Sequence, residues 1–151
     1  MSTDSTQSMI QVARAIATIA HLGQVDKAGM PYIGHPLRIA ESLFWAGHSC
    51  EAVAAGWLHD VLEDTAVTAE DFRTLGIPES VIDIVQALSH PKNETREDYY
   101  ARVKAAGADA VLVKLADIAD NTNPERMSLL DEKTRDRLTA KYAKAVRILT
   151  S

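Results

Sequence analysis

Only one cysteine, Cys50, occurs among the 151 residues. No internal disulfide can form, and a chain of this size must hold itself together by burial alone. A reducing compartment is expected, with the cytoplasm as the default. Apolar stretches long enough to span a bilayer are missing. The N-terminal run Met1-Ser2-Thr3-Asp4-Ser5 has no basic segment leading into an apolar one, so no signal peptide is expected. Excess positive charge is missing too: the net charge of -5 argues against a general nucleic-acid or membrane-surface binder. No internal repeat, low-complexity segment or linker interrupts the chain, so residues 1–151 read as a single domain with a core of its own.

What is present reads as helix almost throughout, and the expected fold is all-α, a compact helical bundle. Met9, Ile10, Val12, Ala13, Ile16, Ala17 and Ile19 recur at helical spacing and predict a first helix over 5–22. His21 then falls in its last turn, as a cap or an exposed side chain. Gly23 to Gly34 is a glycine-rich loop carrying Lys27 and Tyr32, placed either to meet a ligand or as a surface turn. Pro36 suits the first position of a second helix, stopped by Gly47. Ser49 starts a third, which runs into His59-Asp60. Thr68 to Asp71 resembles a capping box for a short fourth helix, and Pro78 opens a fifth. Thr95 caps a sixth, Ala110 to Asp120 form a seventh, Asn123-Pro124 is a break, and the last helix runs from about Asp131 to Leu149. Its basic face (Lys133, Arg135, Arg137, Lys141, Lys144) is expected to be solvated.

The chemistry concentrates in His59-Asp60-Val61-Leu62-Glu63-Asp64, where four ionisable side chains follow the apolar run Ala52 to Leu58. Burying such charge is costly without a compensating partner, and a metal ion is the usual one. On a continuous helix His59 and Glu63 share a face, as do Asp60 and Asp64. Asp117 lies inside an apolar helix and needs a partner; Lys114, three residues earlier, offers a purely structural one. Asp120 is expected to be solvated or capping. His35, His59, Asp60 and Asp117 together supply two imidazoles and two carboxylates, a nitrogen–oxygen set suited to a divalent ion such as Mn, Fe, Zn or Mg. Four protein ligands on a six-coordinate ion leave room for water and substrate, the mark of a catalytic site.

These residues match the His…His-Asp…Asp pattern of the HD-domain metal-dependent phosphohydrolases, which the chain resembles. The wider text is similar to one branch. Gly23-Gln24, Lys27-Ala28-Gly29, Pro31-Tyr32-Ile33, His35-Pro36-Leu37, His59 to Thr65, and Val113 to Asp117 with Asn121 look like the hydrolase domain of the RelA/SpoT alarmone enzymes and their stand-alone small relatives. The resemblance covers most of the chain and implies an HD-type helical bundle. It implies removal of pyrophosphate from the 3′ position of (p)ppGpp, with Mn²⁺ foremost and Fe, Zn, Mg, Co or Ni as other candidates. His35, His59, Asp60 and Asp117 would hold the metal, Glu63 and Asp64 would be the catalytic acid pair, and Asn121 would contact the nucleotide sugar. Lys27 and Tyr32, with Lys92, Arg96 and Lys114, are the remaining candidates for the substrate. With no room for a synthetase domain in 151 residues, the implied enzyme is a stand-alone one.

Two departures keep the substrate open. Where that branch has Arg-Lys before the loop glycine, with the Arg expected to stack on guanine, this chain has Asp26-Lys27, and a carboxylate cannot make that contact. The segment Ile118-Ala119-Asp120-Asn121 also lacks the Arg and His of the branch. A different nucleotide (another pyrophosphate, a nucleoside monophosphate or a phosphorylated dinucleotide) is therefore an alternative substrate. A non-catalytic nucleotide sensor on the same scaffold is the reading from another class, although neither the metal set nor the acid pair is lost.

Overall fold

The computed structural model describes residues 3–151, with side chains from residue 6 onward. Ten helical segments and no strand occur among the described residues. In chain order they are α1 (Thr3–Ala20), α2 (Gly34–Trp45), α3 (Cys50–Leu58), α4 (Val61–Asp64), α5 (Ala69–Thr74), α6 (Glu79–Leu88), α7 (Arg96–Ala105), α8 (Ala108–Asn121), α9 (Pro124–Met127) and α10 (Glu132–Thr150). None is long and apolar enough to cross a membrane.

The bundle is built around α3. From Ala52 to Leu58 every residue of this helix is buried, because its sequence is apolar on all faces and has no polar side to offer to water. It packs against α1, α2, α6 and α8, while α10 lies over α7 and α8. Small residues let the neighbours come close. A Cβ added at Gly56 would meet Leu43 Cδ1 at 3.1 Å and the backbone Cα of Ala40 at 3.4 Å, so glycine sets how near α2 can approach. Phe72, Ile82, Val85, Val103 and Val113 extend the same core outward.

Local signals account for most helix starts. Ser49 Oγ accepts from Ala52 N at 3.1 Å, Thr68 closes a reciprocal box with Asp71, Thr95 accepts from Asp98 N and Asp131 from Thr134 N. Elsewhere the boundaries move. The first helix ends at Ala20, so His21 lies in the following turn, and Gly23 reverses the chain with φ of 85°. The second begins at Gly34, which puts His35 and Pro36 inside its first turn, where amides lack intrahelical partners anyway. The seventh expected helix starts at Ala108. Two short helices were not anticipated. Asn123-Pro124 is a cap rather than a break: Asn123 Oδ1 accepts from Glu125 N at 3.0 Å and Pro124 takes the first position of α9. The run expected to carry helix through His59-Asp60 is divided there into α3 and α4.

Candidate active site

Four elements deliver the polar core. His35 comes from the first turn of α2, His59 and Asp60 from the break between α3 and α4, and Asp117 from mid-α8. His35, His59 and Asp117 are buried, at 5%, 4% and 7% exposure, and they converge although His35 and Asp117 stand 82 positions apart. His35 Nε2 is 2.9 Å from Asp117 Oδ1 and 3.3 Å from His59 Nε2. His59 Nε2 is 3.5 Å from Asp117 Oδ1 and 3.0 Å from Asp60 Oδ2, which is 3.8 Å from His35 Nε2. Adjacent ligands on a six-coordinate ion with bonds near 2.1 Å lie about 3 Å apart, so this cluster has the size of a coordination shell.

The outer faces of both imidazoles support that use. His59 Nδ1 donates to Gly56 O at 2.8 Å, and His35 Nδ1 lies 2.6 Å from Asp120 Oδ2. Each bond spends the Nδ1 proton outward and leaves the Nε2 lone pair directed inward, as metal-binding imidazoles require. Asp120, expected to be solvated, is thus a partner of His35, and Arg38 clamps it through Nε at 2.7 Å and Nη2 at 3.1 Å. Its acceptor role rests on a residue 85 positions away, which no local pattern contains. Asp117 is held by its own helix as well: Lys114 Nζ donates to Oδ2 at 2.9 Å and Asn121 Nδ2 to Oδ1 at 3.1 Å. Lys114 therefore does make the structural pair its spacing suggested, and it also lies over the Tyr99 ring at 5.2 Å.

The electrostatics call for a cation. Burial opposes ionisation of Asp117, but Lys114, His35 and His59 outweigh it and keep its pKa well below the usual carboxylate range. Burial likewise opposes protonation of His59, yet Asp60 and Asp117 raise its pKa well above an ordinary imidazole, and hydrogen bonds to Asp117 and Asp120 raise that of His35. Protons and a divalent ion would compete for this cage. The donor set is mixed nitrogen and oxygen, both Nε2 atoms turn into the cluster with the carboxylates, and its charge is negative, so the residues present fit such an ion.

Asp60, Glu63 and Asp64 form the second group, with ligand atoms within 4.8 Å of one another. Glu63 and Asp64 are exposed and Asp60 is half-buried. Partial burial, then the neighbouring carboxylates, push the pKa of Glu63 and of Asp64 upward, and His90 N donates to Glu63 Oε1 at 3.1 Å. Across the helix break Asp64 N still donates to Asp60 O at 2.9 Å, so Asp60 and Asp64 stay one turn apart.

The loop residues are placed unequally. The Tyr32 hydroxyl donates to Asp60 Oδ2. Lys27 is exposed and has no ion pair among the described residues. Asp26 turns its Oδ1 back on its own loop, accepting from Ala28 N and Met30 N, both at 2.9 Å, and faces Arg126 of α9 at 3.7 Å. A cleft of about 590 Å³ opens beside Glu63 and Asp64, lined also by His90, Lys92 and Arg102. One expectation fails by burial: His21 is buried at 2% exposure rather than capping or exposed. Lys141, on the face of α10 expected to be solvated, is half-buried and lines a cavity of about 170 Å³ with Arg96 and Tyr100.

Comparison with known proteins places the chain in a family. The HD domain family model matches residues 13–122. The guanosine-3′,5′-bis(diphosphate) 3′-pyrophosphohydrolase of Aquifex aeolicus is 36% identical over 119 residues, 74% of this chain and 17% of that protein. The bifunctional (p)ppGpp synthase/hydrolase SpoT of Escherichia coli K12 is 32% identical over 135 residues, 83% of this chain and 19% of that protein. The chain thus spans less than a fifth of the length of either relative. The solved structure of a metazoan ortholog of SpoT, which hydrolyses ppGpp and plays a role in starvation responses, matches with a TM-score of 0.79 at 24% identity over 94% of this chain and 85% of its own; at that identity the likeness speaks for the fold. The helical bundle is that of the matched structure, and the chain belongs to the HD domain family and is similar in sequence to the SpoT hydrolases.

Proposed function

We propose that this chain is a metal-dependent nucleotide phosphohydrolase that removes the 3′ pyrophosphate of (p)ppGpp, with Mn²⁺ as the metal and the cytoplasm as its compartment. The observation that carries the reading is the juxtaposition of the His35–His59–Asp117 cluster, with Asp60 on its edge, and the Asp60–Glu63–Asp64 acid group. His35, His59, Asp60 and Asp117 would hold the ion, which when bound lowers the pKa of water and offsets charge on the phosphoryl oxygens. The reaction adds one water to ppGpp and yields GDP and pyrophosphate. Water must lose a proton as it attacks phosphorus, and the ribose 3′ oxygen must gain one as it leaves. Glu63 and Asp64 are two carboxyls whose pKa values are pushed upward, so the pair can accept the first proton and return the second.

A polyanionic substrate also suits the walls. Burial first, then the like charges of Arg96, Lys114 and Arg137, lower the pKa of the Lys141 ammonium, so these cations lie near enough to feel one another, although Lys114 is paired with Asp117. Lys92 lines the cleft beside the acid pair. Asn121 and Tyr32 reach the cluster through Asp117 and Asp60, and we assign Asn121 to the nucleotide sugar, with Lys27 at the loop rim. The test is incubation of the purified chain with Mn²⁺ and ppGpp, with products identified by mass. GDP and pyrophosphate are expected; release of neither would overturn the substrate. One observation favours a second reading. Asp26, engaged with its own loop amides and facing Arg126, leaves the loop without a guanidinium of its own, so another nucleotide could be the substrate. A panel of nucleoside monophosphates, pyrophosphates and phosphorylated dinucleotides run beside ppGpp separates the two.

A further inference from the structure

One buried titratable side chain has no part in the reaction just described. His21 stands in the turn after α1, 2% exposed, with Nε2 buried and without a hydrogen-bond partner among the described residues. Its other nitrogen, Nδ1, lies 2.8 Å from Gln24 Oε1. The Gln24 amide is oriented by its far end, where Nε2 donates to the Asp64 carbonyl at 3.2 Å. Its oxygen therefore faces the imidazole, and Nδ1 must carry the proton. The His21 ring also packs on Tyr32, centroid to centroid 5.0 Å, and the Tyr32 hydroxyl donates to Asp60. Two short paths thus leave one imidazole and reach the first carboxylate of the acid motif and the backbone carbonyl of its last residue.

Helix α4, which carries Glu63 and Asp64, needs such support. It is a single turn of four residues, too short to hold itself, and it begins at a break in the helix. Its acid group repels itself. The bonds that pin it from outside are Tyr32 to Asp60, Gln24 to the Asp64 carbonyl, and His90 N to Glu63. The first two share His21. A hydrocarbon side chain would fill a buried pocket without leaving a nitrogen unpaired, so what the imidazole supplies there is its Nδ1 proton and its ring contact.

We infer that His21 is a positioning residue: through Gln24 and Tyr32 it clasps the loop after α1 onto α4 and sets the place of Glu63 and Asp64 relative to the metal ligands. The inference rests on the proposed hydrolysis for its kinetic test, and hydrogen exchange gives a test that needs no turnover. In His21→Leu, the amides of Asp64 and Thr65, which bond to Asp60 O and Val61 O, should exchange faster while those of α8 keep their protection. With ppGpp and Mn²⁺, kcat should fall between about tenfold and a hundredfold, with KM within about twofold and one Mn²⁺ still bound per chain. His21→Asn, whose amide N–H can replace Nδ1–H toward Gln24, should recover most of the lost kcat. Gln24→Ala should reproduce the His21→Leu loss, and the double variant should lose little more than either alone. Unchanged exchange at Asp64 and Thr65 would overturn the clasp. So would His21→Asn being as impaired as His21→Leu, because the imidazole would then be mere filler. If the native chain releases no pyrophosphate, the proposed function fails while the exchange result still decides this point.

Discussion

Asp120 offers the sharpest test of the metal centre, because it touches no ligand position yet sets one. Its carboxylate takes the His35 Nδ1 proton at 2.6 Å and is itself clamped by Arg38. Replacing it by alanine leaves the imidazole free to rotate and to adopt the wrong tautomer, and strands the guanidinium. Partners of this kind are worth about 10- to 100-fold in metal affinity, or roughly 1.4 to 2.7 kcal/mol. Asp120→Asn keeps an acceptor for Nδ1–H but removes the charge, so its loss should fall at the lower end of that range. Titration calorimetry with Mn²⁺ reads the effect directly, and Asp83→Asn on the exposed face of α6 serves as the control that should not move. If Asp120→Ala binds Mn²⁺ within about twofold of the native chain, the orienting role fails, and with it the assignment of His35 as a ligand through Nε2.

Metal binding should weaken as pH falls through the raised range of His35 and His59, by about tenfold per pH unit for each proton displaced, and calorimetry at several pH values reads the slope. Glu63→Gln should abolish turnover while leaving Mn²⁺ stoichiometry at one per chain, as atomic absorption would record. The same variant should stabilise the metal-free chain. Since the pKa of Glu63 is raised by folding, its ionisation opposes the folded state as pH rises, so the gain should be present at pH 7 and vanish in acid below the ordinary carboxylate range. After screening at this exposed site it should reach no more than about 1 kcal/mol, or about 2 to 4 °C in Tm by calorimetry. Gly56→Ala should lower Tm by a few degrees: the helix gain of about 1 kcal/mol is smaller than the cost of about 1–3 kcal/mol for pushing a methyl against Leu43 and the α2 backbone.

Reading along the chain was most successful where the physics is local. Apolar spacing, with caps at Ser49, Thr68 and Thr95, located helices that formed where expected. It was poorest where a neighbour distant in sequence decides a side chain's surroundings. Asp120 looked solvated and is bonded to His35, and His21 looked like a cap or an exposed side chain and is buried. The two short helices, α4 and α9, escaped because four-residue segments carry too little periodicity to register.

By itself the sequence determined the all-helical class, because apolar spacing and capping act within a few residues. It also determined the inventory of imidazoles and carboxylates that makes metal chemistry possible, since that is a matter of which side chains exist. Only the tertiary structure decided which nitrogen of each imidazole faces inward, since Gly56 O and the Asp120 carboxylate choose the tautomers. It also decided that a turn after α1 braces the acid pair. Both outcomes depend on hydrogen bonds across the packed faces of different helices, and such bonds exist only once the apolar core has brought those faces together.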